Sequence, residues 1–148
     1  MLSYADLAVT VAEADAYAEA RLWANWTGAD AVKAAALLRG QSYIASTYNG
    51  RWAAEWANDA APDGVKYAII EAARRELVAA GSLNPDYDPA GLIKREKKKL
   101  GPLEKEFEYA VPVDAAAAKP VIGIIDSILA GLLIAAPGST SVTTLARF

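Results

Sequence analysis

The 148-residue chain contains no histidine and no cysteine. Their absence removes zinc and haem sites of the usual kind, thiol nucleophiles, disulfides and the commonest general base. Serine–histidine–acid catalysis is excluded outright, because one of its three members does not exist here. Without cysteine, nothing reports the redox compartment. After Met1 there is no basic segment followed by an apolar run, so no signal peptide is expected. One stretch resembles a membrane span, Val121 to Ala136, but it covers only 16 residues and carries Asp126 and Ser127 between Pro120 and Pro137. A spanning helix needs about 20 apolar residues, and a mid-span aspartate costs ~3 kcal/mol. The stretch is therefore expected to be a helix buried by the fold or by a partner, in a soluble cytoplasmic protein.

Apolar residues make up 54% of the chain and charged residues 22%, a composition that folds rather than staying disordered. The length suits one domain, burying roughly 70% of the surface that the unfolded chain exposes. The net charge of −3 comes from residues 1–60, which hold 7 acids and 4 bases. No overall basic bias advertises a nucleic-acid partner. The local exception is Lys94-Arg95-Glu96-Lys97-Lys98-Lys99, with five bases in six positions.

Thr10-Val11-Ala12-Glu13 has the spacing of a capping box and predicts a first helix from Val11 to about Leu22. Ala34, Leu37, Leu38, Gln41, Ile44, Ala45 and Tyr48 share one face of a second helix, about 30–48, which Asn49-Gly50 ends. The connection 49–62 carries Trp52 and Trp56 and should pack on the core. Pro62-Asp63-Gly64 opens a third helix to about Ala80, with Val65, Ile69, Ala72 or Ala73, Leu77 and Ala80 inward. Glu71, Arg74 and Arg75 are expected on its wet side as ion pairs.

The period then changes. Leu103, Lys105, Phe107, Tyr109 and Val111 alternate with Glu104, Glu106 and Glu108, which argues for a strand. With Gly101-Pro102 as the turn, Leu100 faces Leu103, and Lys99, Lys97 and Arg95 face the three glutamates in turn. A fourth helix is expected over 120–135, with Pro120 in its first turn and a stripe of Ile122, Ile125, Leu129, Leu132 and Leu133. Ile124, Ile128 and Val121 widen the stripe beyond one face, so burial on more than one side is expected. The fold class is mainly α: a small bundle of about four helices with a β-hairpin arm and an extended C-terminal tail. Residues 1–118 form the bundle domain, with the hairpin at about 93–111, and residues 119–148 dock on a partner.

Chemistry-bearing motifs are few. Asn84-Pro85-Asp86-Tyr87-Asp88 fails as a calcium loop, because Pro89 and Arg95 stand where glycine and glutamate are required. Trp23, Trp26, Trp52, Trp56, Tyr43 and Tyr48 are expected to pack helices together rather than to stack bases. There is no P-loop, GxGxxG, GxSxG or recognisable carboxylate pair, so no enzyme, metal or cofactor is expected.

Several segments, in order, resemble the head–tail connector (adaptor) proteins of tailed phages and prophages, some of which are labelled DnaT-like single-stranded-DNA-binding proteins. They are Thr10-Val11-Ala12-Glu13-Ala14-Asp15-Ala16-Tyr17, Ala34-Ala35-Ala36-Leu37-Leu38-Arg39 with Tyr43-Ile44, Arg51-Trp52, and Pro62 with Val65-Lys66-Tyr67-Ala68. Lys97-Lys98-Lys99-Leu100-Gly101-Pro102-Leu103 leading to Tyr109, and the apolar run from Val121 through Asp126 to Leu133, complete the set. The chain departs from the pattern at 51–62, where it is rich in alanine.

The resemblance implies a structural virion protein, assembled in the host cytoplasm as a homo-oligomeric ring, usually dodecameric. The ring would sit beneath the portal protein, continue the channel for passing double-stranded DNA, and dock a neck or tail-completion protein, with no membrane involved. It places portal docking on the C-terminal segment, here Ile125, Leu129, Leu132, Leu133, Leu145, Arg147 and Phe148. The hairpin residues Lys94, Arg95, Lys97, Lys98, Lys99, Glu104, Glu106 and Glu108 would serve the subunit interface or the DNA channel. The alternative expectation is a non-specific single-stranded-DNA-binding protein.

Overall fold

A computed structural model describes residues 1–86 and 120–135, together with the backbone of 96–100 and 103–107. Four helices follow in order: α1 (Val11–Ala20), α2 (Asp30–Tyr48), α3 (Asp63–Val78) and α4 (Gly123–Leu129). β1 (Glu96–Leu100) and β2 (Leu103–Phe107) form an antiparallel hairpin. Its register pairs Leu100 with Leu103, Lys99 with Glu104 and Lys97 with Glu106, as the alternation of the sequence requires. Arg95 and Glu108, the third expected pair, lie outside the described residues, as does the expected tail beyond residue 135.

The capping box forms as read. Thr10 Oγ1 accepts the Glu13 N–H at 3.2 Å, and the Glu13 carboxylate accepts the Thr10 N–H at 2.8 Å. Lys66 of α3 donates to the same carboxylate at 2.8 Å. The Lys66 hydrogen bond, followed by that from the Thr10 backbone, lowers the Glu13 pKa from 4.5 to about 2. A lowered folded-state value adds stability above pH 4.5 and loses it as the pH falls toward 2. The Glu13 side chain is 44% exposed, and solvent screening keeps the gain below ~1 kcal/mol. Glu13→Gln should therefore flatten the acid limb of stability between pH 4.5 and 2 in urea melts. An unchanged limb would refute the assignment.

Helix α1 stops two residues before the expected Leu22. Leu22 N–H bonds Glu19 O and Trp23 N–H bonds Ala18 O, a Schellman closure that puts Leu22 itself at φ 51°. That left-handed position normally takes glycine, and here it holds a leucine 89% exposed. Helix α3 also ends early, at Val78. The chain reverses at Gly81 (φ 82°) so that Leu83 returns to the core at 3% exposure.

Helices α2 and α3 make the centre of the bundle. Gly40 lies so close to α3 that a β-carbon there would stand 2.6 Å from Ala73 N. Leu37, Ile44, Val65 and Ile69 are fully buried around this contact. Arg39, midway along α2, meets Glu76, near the end of α3, at 3.1 Å. Ala53, just past α2, and Gly64, in the first turn of α3, both lie against Leu132, so the two helices run antiparallel.

The expected wet side of α3 is only partly wet. Glu71 is 5% exposed because α1 crosses over it, and its carboxylate accepts the Tyr17 hydroxyl at 3.3 Å and Arg75 Nη1 at 3.2 Å. Burial, and then the Glu71 charge, raise the Tyr17 pKa, so the hydroxyl stays a donor.

The N-terminal ten residues form a strap rather than a loose end. Gln41, fully buried on α2, accepts the Ala8 N–H at 2.8 Å and donates to Ser3 O and Asp6 O. Asn49 exchanges hydrogen bonds with both backbone groups of Leu2, and Asn58 accepts from Ser3 N–H and donates to Asp6 O. Among the described residues no helix is long and apolar enough to cross a membrane.

Candidate docking surface

The C-terminal segment 120–135 is assembled differently from the single helix expected. Residues 120–122 precede the helix, with Ile122 extended, seven residues form α4, a 3-10 turn spans Ala130–Leu132, and Leu133 pairs with Trp52 in an isolated antiparallel bridge. Pro120 is thus outside the helix. Glycine at 131 weakens helix continuation. The backbone groups beyond it find strand-like partners instead: Ile134 N–H donates to Arg51 O at 2.8 Å, and Leu132 O accepts the Ala53 N–H at 3.0 Å.

Two tyrosines of α2 fasten the front of the segment. The Tyr43 hydroxyl donates to Pro120 O at 2.8 Å, and the Tyr48 hydroxyl donates to Asp126 Oδ1. Burial, and then the hydrogen bond to Asp126, push the Tyr48 pKa up and keep it protonated. Asp126, the residue that argued against a membrane span, is therefore a polar fastening within the fold.

These contacts seat residues 120–135, the described part of the segment expected to dock on a partner, against the chain's own bundle. Ile125 and Leu129 are fully buried against the chain's own bundle, while Leu132 and Leu133 are half-buried. Gly64 of α3 leaves the room for this, since a β-carbon there would meet Leu132 Cδ1 at 3.0 Å. Three apolar side chains of the segment stay exposed, Val121 at 85%, Ile134 at 57% and Ile124 at 48%. Val121 and Ile124 are two of the three residues that widen the apolar stripe beyond one face. Leu145, Arg147 and Phe148 lie outside the described residues.

Among the expected hairpin residues, Lys97, Lys98, Lys99, Glu104 and Glu106 fall on the paired strands, and Lys98 stands opposite Lys105. Lys94, Arg95 and Glu108 lie outside the described residues.

The aromatic residues pack as expected. Tyr43, Tyr48 and Trp26 are buried, and the half-buried Trp52 and Trp56 rings sit 5.2 Å apart under the 49–62 connection. Trp26 Nε1 donates to Asp15 at 2.7 Å, and Lys33 donates to the same oxygen at 2.8 Å. The Lys33 hydrogen bond is the main cause that holds Asp15 below the usual carboxylate range.

Sequence reasoning did not find the arginines that rest on these rings. Arg21 lies 3.3 Å from the Tyr17 centroid, Arg74 4.3 Å from that of Trp23 and Arg51 5.7 Å from that of Tyr48. Among the described residues these three arginines have no carboxylate partner, whereas Arg39 and Arg75 do. Arg21 and Arg51 follow their tyrosines by four and three residues, a spacing visible in the sequence, whereas Arg74 and Trp23 come from separate elements and no local spacing signals them. Among the described residues no cluster of three or more potential ligands could hold a metal ion.

One protein-family model, described as "Putative DnaT-like ssDNA binding protein", matches residues 2–57, fewer than half of the chain. The matched stretch coincides with the strap, α1, α2 and the connection through Trp56, the unit tied together by Gln41 and Asn49. No curated protein and no solved structure matches the chain.

Proposed function

We propose that this protein is a structural virion component, a head–tail connector whose subunits form a ring joining the portal to the neck or tail. In this reading it acts by assembly rather than turnover, and the ring continues the channel through which DNA passes. The homo-oligomer, the portal and a neck or tail-completion protein are its partners, and the virion, assembled in the host cytoplasm, is its location. The observation that carries the reading is the uncovered outer face of segment 120–135, with Val121, Ile124 and Ile134 presented outward on a rigidly fastened element. Apolar side chains grouped in this way mark a protein–protein contact.

The portal-facing residues in this proposal are therefore Val121, Ile124 and Ile134, with the half-buried Leu132 and Leu133 at their edge. Val121→Asp with Ile124→Asp should abolish attachment to portal-containing heads in a sedimentation assay. The thermal melt should stay within ~2 °C, since surface substitutions cost little. Normal attachment by the double variant would sink the reading.

The family-model match favours a second reading, a non-specific single-stranded-DNA-binding protein. Such binding combines a basic groove with exposed rings on which bases stack. Here the four tryptophans are buried or half-buried, and arginines cover Tyr17 and Trp23. Steep salt-dependent oligonucleotide binding by the purified chain would favour the second reading over the first.

A further inference from the structure

We infer that a groove at the C-terminal end of α3 receives the N-terminal strap of a second copy, joining subunits head to tail; the inference rests on the ring reading above. The groove is a surface cavity of about 560 Å³ whose lining includes Asn25, Arg74, Arg75, Val78, Leu83 and Ile122. The Arg74 guanidinium is held in place, stacked on Trp23 at 4.3 Å with its Nε donating to Asn25 Oδ1 at 3.0 Å. A fixed guanidinium with no carboxylate partner among the described residues is prepared for a carboxylate from elsewhere. One turn further along α3 the wall is apolar, with Val78 65% exposed. A phosphate backbone gains nothing from that wall, so the fitting ligand is a peptide carrying both an acid and apolar side chains.

The chain presents one such peptide. On the strap, Met1, Tyr4 and Leu7 are 70%, 58% and 37% exposed, and Asp6 is exposed among them. Gln41, Asn49 and Asn58 already hold the strap's backbone, so docking it costs little ordering entropy. The β2 segment is a poorer candidate, since Glu104 and Glu106 stand opposite Lys99 and Lys97.

Strap and groove also lie toward opposite ends of the molecule. The strap begins at Asn49, Trp56 and Asn58, beyond the C-terminal end of α2. The groove is at the C-terminal end of α3, and α2 and α3 are antiparallel. Two different patches in contact make a heterologous interface, which closes into a ring when the rotation permits.

The test is charge reversal with rescue. Asp6→Lys and Arg74→Glu, made singly and together, are compared with the parent chain by light scattering over a concentration series. Circular dichroism verifies the fold, and Arg74→Gln replaces Arg74→Glu if that variant fails to fold. Each single variant should weaken self-association at least ~10-fold, and the double variant should recover it. A parent oligomer that ignores both single changes, or a double variant no better than the singles, overturns the inference and leaves the ring reading standing. Loss of thermal stability in Arg74→Glu with normal assembly would overturn it too, placing the chain's own residues in the groove. A parent chain that stays monomeric even with portal-containing heads removes the ring reading and this inference together.

Discussion

Gly40→Ala is expected to destabilise the protein by about 2–3 kcal/mol, although alanine is the better helix former by ~1 kcal/mol. The sign follows from what the new methyl group would meet. Ala73 N lies at 2.6 Å, Ile69 O at 2.9 Å and Ala73 Cα at 3.0 Å. All three are backbone atoms of α3, so no side-chain rotation relieves the overlap and the helices themselves must separate. Separation would loosen the layer formed by Leu37, Ile44, Val65 and Ile69, each fully buried. Differential scanning calorimetry should show a midpoint about 5–12 °C lower, scaled for a chain of this size. Gly50→Ala is the control, because nothing lies within 4 Å of its would-be β-carbon. A neutral or stabilising Gly40→Ala would mean that α2 and α3 do not cross where the structure places them.

Glu76→Ala should cost a comparable amount, about 3 kcal/mol, for a different reason. The Glu76 side chain is 3% exposed, and its two oxygens accept Gly81 N–H at 2.7 Å, Leu83 N–H at 3.0 Å and Arg39 Nε at 3.1 Å. Truncation leaves the buried Leu83 N–H without an acceptor, and orphaned buried donors cost about 1–3 kcal/mol each. Arg39 is 41% exposed and can turn to water, so its loss adds less. Glu76→Gln keeps an acceptor for the turn and should lose roughly half as much. Urea melts give the totals. Amide hydrogen exchange at residues 81 and 83, faster in Glu76→Ala than in Glu76→Gln, would locate the effect. Equal losses in the two variants would show that the ion pair, not the turn, holds this end of α3.

The two substitutions bear on function because both act on α3, which seats the C-terminal segment at Gly64 and lines the proposed subunit groove at Arg74 and Val78. Any assembly defect in these variants is therefore to be read beside their melts. Val121→Asp with Ile124→Asp and Asp6→Lys act on exposed positions, Asp6 giving up only a hydrogen bond accepted from Ser3 Oγ at 3.3 Å, and report chiefly on contact.

What the amino-acid order determined by itself was local. The span of α2, the Thr10–Glu13 capping box, the inward packing of the tryptophans and the register of the hairpin follow from period, capping chemistry and alternation, all of which operate within a few residues. Tertiary structure decided whatever depended on residues far apart in the chain. Glu71 and Glu76 carry a charge that reads as solvated, yet each is buried because a distant tyrosine or arginine and a returning turn satisfy it. Gln41 reads as one more position on an apolar face, and only the strap shows what its amide is for. The run from Val121 to Ile134 reads as apolar nearly all round. Which side faces inward was settled by Tyr43, Tyr48, Trp52 and Gly64 across the bundle, and that choice leaves Val121, Ile124 and Ile134 exposed. Periodicity registers that a side chain is apolar or charged, but the partner that covers or neutralises it is a property of the assembled fold.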